Sequence, residues 1–158
     1  MAQDDCPDFK DCPLPDALET IGERWSFLIL RSAMVGTCHF EEFQSSLGIA
    51  RNILSNRLGR MVEKGILTRC VMSCDKRKVE YRLTQKGAAL APVMLALRQW
   101  AEQWERGARC SPALVDRRDR LPVRAVVIQA QDGRTLCADE LLWIDANEAP
   151  RQDVPSHA

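Results

Sequence analysis

Residues 40–83, FEEFQSSLGIARNILSNRLGRMVEKGILTRCVMSCDKRKVEYRL, contain the pattern that decides the fold. Apolar residues recur there at intervals of three and four, which predicts a short helix over 40–47, ended by Gly48, and a longer helix over 50–64. The residues of the two apolar faces are Phe40, Phe43, Leu47, Leu54, Leu58 and Met61. Two helices joined by a short glycine-containing turn predict a helix-turn-helix.

A β-hairpin is predicted directly after these helices. Residues that favour strands occupy 66–74 and 79–83, and they flank the polar segment Asp75-Lys76-Arg77-Lys78. The sequence therefore predicts a hairpin with a basic tip behind the helix-turn-helix.

Helices are also predicted on both sides of this segment. Asp16 can cap a first helix over about 16–34, and Thr84 can cap a last helix that runs to about residue 106 with a kink or break at Pro92. Beyond it, strands over 123–129 and 135–144 flank an Asp132-Gly133 turn and predict a second hairpin.

The zero net charge of the chain conceals a strong local asymmetry. Residues 51–82 contain nine Lys or Arg against three Asp or Glu, whereas residues 1–50 contain three against nine. A local concentration of positive charge attracts a phosphate backbone whatever the total charge. The N-terminus is acidic and no apolar run reaches the length of a membrane span, so we expect a cytoplasmic protein without a signal peptide.

The second helix of the pair and the hairpin tip are the predicted contacts to double-stranded DNA. With the apolar face turned inward, polar residues of the 50–64 helix turn outward, and Asn and Arg can bind adenine and guanine edges in the major groove. The predicted DNA-binding residues are Arg51, Asn52, Ser55, Asn56, Arg57, Arg60, Lys76, Arg77 and Lys78. If a dimer neutralises about six phosphates, the logarithm of affinity should fall with that of salt at a slope near −5.

Several short motifs in one order resemble the HxlR-type branch of the MarR-like winged-helix regulators, over about residues 12–104. These motifs are Gly22-Glu23-Arg24-Trp25, His39-Phe40-Glu41-Glu42-Phe43, Leu54-Ser55-Asn56-Arg57-Leu58, Gly65-Ile66-Leu67-Thr68-Arg69 and Glu80-Tyr81-Arg82-Leu83-Thr84. The resemblance implies a homodimer, built largely from the first and last helices, that binds a near-palindromic operator as a repressor or activator. It also implies a recognition helix at 50–64 and a wing at 74–79. His39 departs from the basic residue usual in the family, which puts one phosphate contact in doubt.

A dimer is also favoured by the apolar spacing of the last helix. Large apolar residues there follow helical spacing near the end of the matched region, and a two-fold partner would double the phosphate contacts. The predicted interface residues are Trp25, Val93, Leu97, Trp100 and Trp104.

The expected fold class is α+β, mainly α: a winged helix-turn-helix with flanking dimerisation helices and a C-terminal β-hairpin extension. The expected organisation is an N-terminal arm at 1–13, a DNA-binding and dimerisation domain at 14–106, and an extension at 107–158.

The seven cysteines raise the question of a sensor. Cys12, in a Cys-Pro pair that matches the family's N-terminal pair, lies beside a predicted helix start, a position that favours the reactive thiolate. The resemblance implies sensing of oxidants or electrophiles there, with Cys38 or Cys6 as partner. Cys70 and Cys74 share a strand face but lack paired Cys-x-x-Cys ligands, so we expect no metal and no cofactor.

Three other functions remain open from the residues. DNA binding could be controlled by a small-molecule effector in the dimer crevice instead of by oxidation. The chain could be a thiol-dependent oxidoreductase, although no Cys-x-x-Cys pair or nearby His supports Cys12. It could also be a winged helix that binds protein, but the polar outward face of the 50–64 helix favours DNA over a protein partner. We expect that the chain is not an enzyme.

Overall fold

The predicted helix-turn-helix and hairpin are both present in the computed structural model, which describes residues 9–72, 75–106, 112–144 and 147–150. The helices are Leu14–Ile21 (α1), Arg24–Met34 (α2), Phe40–Leu47 (α3), Arg51–Glu63 (α4), Gln85–Ala88 (α5) and Ala91–Ala101 (α6). The strands are Leu67–Met72 (β1), Asp75–Leu83 (β2), Ile128–Gln129 (β3) and Thr135–Leu136 (β4). Among the described helices, none has both the length and the apolarity that crossing a membrane requires.

The prediction of one first helix over 16–34 was wrong, because the chain forms α1 and α2 with a break between them. The amide of Gly22 closes α1 by donating to the Leu18 carbonyl at 2.6 Å. Glu23 then adopts an extended conformation, with φ −101° and ψ 143°, as the N-cap of α2. The backbone approaches so closely here that a Cβ on Gly22 would lie 2.4 Å from the Leu18 carbonyl oxygen.

The helix-turn-helix is held by a core that α2, α3 and α4 share. Phe43, Leu54 and Leu58 have no exposed surface, and they pack with Ile29 and Leu30 of α2. Gly48 ends α3 in the left-handed conformation, with φ 60°, as its sequence position predicted. The predicted inward face of α4 is thereby confirmed, and the opposite face of this helix is left at the surface.

The wing is an antiparallel hairpin of β1 and β2, with Leu67 opposite Leu83 and Val71 opposite Val79. Met72 pairs with Asp75, so residues 76–78 form a bulge between consecutive partners of β1. The prediction that β2 begins only at residue 79 was therefore wrong. Cys74 lies outside the described residues, and the side chains of residues 72–78 also lie outside them.

The predicted helix from Thr84 to residue 106 is divided. The Thr84 hydroxyl accepts from the Gly87 amide at 3.0 Å and caps α5, as predicted. The break falls at residues 89–90, just before Pro92, because proline is accepted in the first turn of a helix but not in its interior. A π-helical segment, Glu102–Arg106, follows α6.

The chain divides into two compact units, one of residues 14–126 and one of residues 1–13 with 127–158. In the first unit, the segment of residues 112–126 is hydrogen-bonded to α6. The Gln99 side chain of α6 donates to the Arg124 carbonyl at 3.1 Å and accepts from the Val126 amide at 2.8 Å. In the second unit, the predicted hairpin is confirmed, but its strands are only two residues long, because Ile128 and its neighbours are exposed and bury little apolar surface.

Two glycines should respond to alanine substitution in opposite directions. A Cβ on Gly87 would lie 2.2 Å from the Ile66 carbonyl, whereas one on Gly59, in the exposed interior of α4, meets nothing within 4 Å. We expect Gly87→Ala to lower the free energy of unfolding by about 1–3 kcal/mol. Gly59→Ala should raise it by about 1 kcal/mol through helix propensity. Urea denaturation of both variants measures this, and a Gly87→Ala protein as stable as the parent would contradict the packing.

Candidate nucleic-acid interface

The exposed face of α4 presents polar side chains over its first two turns. Arg51, Asn52, Ser55 and Asn56 are all exposed, whereas Leu54 and Leu58 of the same helix are buried. The helix thus has one apolar face fixed in the core and one hydrogen-bonding face directed to solvent. Four of the predicted DNA-binding residues share this face.

The N-terminus of α4 is positively charged and carries no side-chain cap. Ala50 is the N-cap residue and makes no side-chain hydrogen bond, since alanine has no acceptor to offer the first-turn amides. The Arg51 guanidinium carbon lies 4.8 Å from the centre of the Phe40 ring on α3, a cation–π contact that orients this side chain. Phe40 was predicted only as a core residue, and its support of Arg51 was missed.

The two other arginines of α4 are paired within the protein. The Arg57 guanidinium forms an ion pair with Glu23, and Arg60 lies 3.8 Å from the same carboxylate. Arg60 also donates to the Glu19 carbonyl at 3.5 Å. Both arginines therefore point toward the junction of α1 and α2, whereas the helical wheel placed Arg60 outward. The sequence could not reveal this because Glu23 is more than thirty residues away.

A cluster of polar groups joins the start of α3 to strand β2 of the wing. The Tyr81 amide donates to the Cys38 carbonyl at 2.8 Å, and the His39 imidazole Nδ1 lies 3.3 Å from the Val79 carbonyl oxygen. The buried Glu80 carboxylate accepts from Arg82 at 2.7 and 2.6 Å through one oxygen, Oε2. These contacts connect the wing to the helix-turn-helix, and Glu80 and Arg82 were missed as parts of a site.

Carboxylates shape the electrostatics of this cluster. The amides of His39 and Cys38 donate to Glu42 at 3.1 and 3.3 Å and thereby lower the pKa of that carboxyl. Burial raises the pKa of the Cys38 thiol, and Glu80 and Glu42 raise it further against the opposing effect of Arg82. A protonated thiol reacts slowly with oxidants. Cys38 therefore lacks the electropositive surroundings of an activated cysteine.

The two predicted redox residues lie in different units. Cys12 is half-buried and free in the unit of residues 1–13 and 127–158, whereas Cys38 is half-buried and free in the unit of residues 14–126.

Apolar side chains lie exposed along α6 and beyond it. Val93, Leu97, Trp100 and Trp104 are between 48% and 69% exposed, which is unusual for residues of this size. Leu14 and Leu18 of α1 are exposed as well, although the sequence did not predict them as part of an interface. Trp25 differs from this set, because it packs against the protein's own core beneath the Arg24 guanidinium.

The segment with this geometry matches a known family. Residues 20–108, from the end of α1 past α6, match the family described as HxlR-like helix-turn-helix. The chain belongs to this family. The HxlR resemblance seen in the motifs is thereby confirmed, and the winged-helix α+β fold class is confirmed with it.

This HxlR-like chain is similar to curated transcriptional regulators in sequence and to several solved structures. An uncharacterized HTH-type transcriptional regulator of Mycobacterium tuberculosis is 43% identical over 88 residues, which cover 56% of each protein. The match thus spans little more than half the length of that relative. The crystal structure of PA1607 has a TM-score of 0.80 at 39% identity, and the match covers 86% of this chain and 96% of PA1607. The redox regulator HypR in its reduced form has a TM-score of 0.54 at 30% identity and covers 58% of this chain and 91% of its own.

The ion pairs of Glu23 should differ in strength. Arg57 is 20% exposed and Arg60 is 41% exposed, so solvent screens the Glu23–Arg57 pair less. In double-mutant cycles with Gln at each position, we expect a coupling of up to about 1 kcal/mol for Glu23–Arg57 and a smaller one for Glu23–Arg60. Unfolding in urea at low salt gives both values. Equal couplings, or none for Arg57, would show that the carboxylate does not hold this arginine.

Proposed function

We propose that this protein is a sequence-specific transcriptional regulator that binds double-stranded DNA as a homodimer, with α4 in the major groove of each half of a near-palindromic operator. The observation that carries the proposal is the exposed polar face of α4, fixed opposite a fully buried apolar face. The family and the relatives described as transcriptional regulators support it.

Base recognition is assigned to the outward residues of α4. Asn52 and Asn56 carry amides that can donate to and accept from adenine in the major groove, and Ser55 can hydrogen-bond to several base edges. Arg51, oriented by Phe40 at the helix N-terminus, can reach guanine or a neighbouring phosphate. The spacing of these residues matches a helix that enters the groove with its N-terminal half.

Phosphate contacts are assigned to the α4 N-terminus and the wing. Because Ala50 provides no side-chain cap, the first-turn amides of α4 can bind a phosphate oxygen. Lys76, Arg77 and Lys78 of β2 are the proposed source of positive charge on the wing. Arg57 and Arg60 can contact DNA only in competition with Glu23, so their contribution should be smaller than the sequence suggested.

Dimerisation is assigned to the exposed apolar residues of α1 and α6. Val93, Leu97 and Trp100 on α6, with Leu14 and Leu18 on α1, offer a surface whose burial by a second copy would be favourable. Trp104 extends this surface beyond α6. In a two-fold dimer bound to one operator, the two copies of α4 contact half-sites about one helical turn apart.

Control by oxidation is supported by the similarity to the redox regulator HypR. We assign the sensing thiol to Cys12, while Cys38, with its raised pKa, would react second as a partner. The oxidoreductase alternative gains no support, since the relatives are described as regulators.

A small-molecule effector is the second candidate for control. A cleft between α1 and the segment from α5 to the N-cap of α6 is lined mainly by apolar atoms, including those of Ala17, Ile21, Ile66 and Leu90. Because this cleft adjoins the proposed dimer helices, a bound apolar molecule could change how they pack.

Loss of one base-reading amide should weaken specific binding only. We expect Asn56→Ala to lower affinity for an operator in the DNA upstream of its own gene by about tenfold or more, since a bidentate contact contributes about 1–3 kcal/mol. Non-specific affinity and its salt dependence should not change. Fluorescence anisotropy with specific and random duplexes measures both, and Gln85→Ala, an exposed amide on α5, is the matched control.

Neutralising the positive residues of α4 and the wing tests DNA binding itself. If the combined neutralisation of Arg51, Arg57, Lys76, Arg77 and Lys78 leaves duplex affinity unchanged in a folded protein, the chain does not bind DNA through this surface.

Replacing the sensing thiol should remove the response to oxidant. We expect diamide to reduce the DNA affinity of the wild type and to leave that of Cys12→Ser unchanged, because serine cannot form a disulfide. Cys137→Ser, which removes an exposed cysteine of the same unit, should respond like the wild type. A Cys12→Ser protein that still loses DNA on oxidation would exclude Cys12 as the sensor and leave DNA binding itself untouched.

A further inference from the structure

Three side chains with metal-binding atoms meet where the wing joins the helix-turn-helix. Cys38 and His39 precede α3, and Glu80 lies on β2, forty residues later in the sequence. The Cys38 sulfur, a His39 ring nitrogen and a Glu80 carboxylate oxygen all lie within 4.8 Å of one another. The cysteine spacing in the sequence predicted no metal, and it does not reveal this group because Glu80 lies forty residues away.

The hydrogen bonds of His39 direct one ring nitrogen into the cluster. When Nδ1 carries the proton, it donates to the Val79 carbonyl at 3.3 Å, and the lone pair of Nε2 is left 3.9 Å from Glu80 Oε1. Two acceptor atoms that face each other in this way favour a cation between them. A backbone carbonyl that binds the second imidazole nitrogen is also the usual outer partner of a metal-bound histidine.

The Glu80 carboxylate is also oriented so that one of its oxygens can bind a cation. Its side chain is only 10% exposed, and Arg82 donates twice to Oε2, so the carboxylate is held in place with Oε1 directed to His39. Two carboxylates lie close to Cys38: a Glu80 oxygen is within 4.8 Å of its sulfur, and Glu42 accepts from its amide at 3.3 Å. An ionised Cys38 would add a further negative charge, which a dication can balance.

We propose that Cys38, His39 and Glu80 form a binding site for a divalent transition-metal ion, with Zn²⁺ as the best match to these ligands. Thiolate, imidazole and carboxylate are all zinc ligands, and tetrahedral bonds of about 2.0–2.3 Å place such donor atoms about 3.5 Å apart. Closing the cluster therefore requires movements of about 1 Å. Binding forms the Zn–S bond and releases the thiol proton to solvent.

The proposed site is partly open and connects two functional elements. His39 is 34% exposed on its side chain, so an ion can enter from solvent, and a fourth position remains for water. The ion would link the start of α3 to β2 and so fix the wing relative to the helix-turn-helix. This consequence for DNA binding rests on the proposed function, but the site itself does not.

Cobalt(II) provides a direct test on the full chain without DNA. We expect reduced wild-type protein to bind Co²⁺ with a thiolate-to-metal charge-transfer absorption that Zn²⁺ displaces. Cys38→Ser should abolish this band. Because changes in outer partners alone cost roughly 10- to 100-fold in metal affinity, His39→Gln and Glu80→Gln should each weaken binding at least about tenfold. Cys137→Ser, an exposed cysteine of the other unit, is the matched control and should keep the band.

Folding is checked for each variant by circular dichroism. Should the buried Glu80→Gln fail to fold, the partly exposed His39→Gln decides the question, and Zn²⁺ should raise the Tm of the wild type but not that of His39→Gln. A wild type without the band, or a band that survives Cys38→Ser, would overturn the site. Since no DNA is present, either result is independent of whether the protein binds an operator.

Discussion

Burial of one face of α4 is the constraint on which the remaining architecture depends. Leu54 and Leu58 are completely buried in the core that α4 shares with α2, α3 and β1, and a helix fixed on one side must present its other side at a fixed angle. The polar residues of α4 are therefore positioned by apolar packing that does not involve them. The outer face of this helix is held in a fixed orientation because the core beneath it is close-packed.

The wing depends on the same core through a second set of contacts. Leu67 at the start of β1 is buried in the shared core, and Glu80 and Tyr81 of β2 connect to the residues before α3. The hairpin is thus held to the helix-turn-helix from both strands. Any ligand or reaction at Cys38, His39 or Glu80 would act on the junction of these two elements, which links the proposed metal site to the proposed DNA interface.

Several arginines of this protein form ion pairs with carboxylates of the same chain. The sequence has an excess of positive residues over 51–82. Three of them are paired in the structure, because Glu23 forms ion pairs with Arg57 and Arg60, and Glu80 forms one with Arg82. Salt bridges of this kind contribute little to stability when they are exposed. Their effect on α4 is to hold Arg57 and Arg60 toward Glu23, so fewer cations are unpaired on this helix than the count of charges indicates.

The sequence by itself determined the helix-turn-helix, the wing, the inward face of α4 and the Gly48 turn, because apolar periodicity and glycine positions are local signals. The sequence did not predict the break after α1, where the Gly22 backbone lies against the Leu18 carbonyl. Tertiary structure alone decided that Arg57 and Arg60 meet Glu23, that Trp25 packs inward, and that Cys38, His39 and Glu80 come together. The physical reason is the same in each case: these partners are distant in the chain, and only the packing of the core brings them within reach.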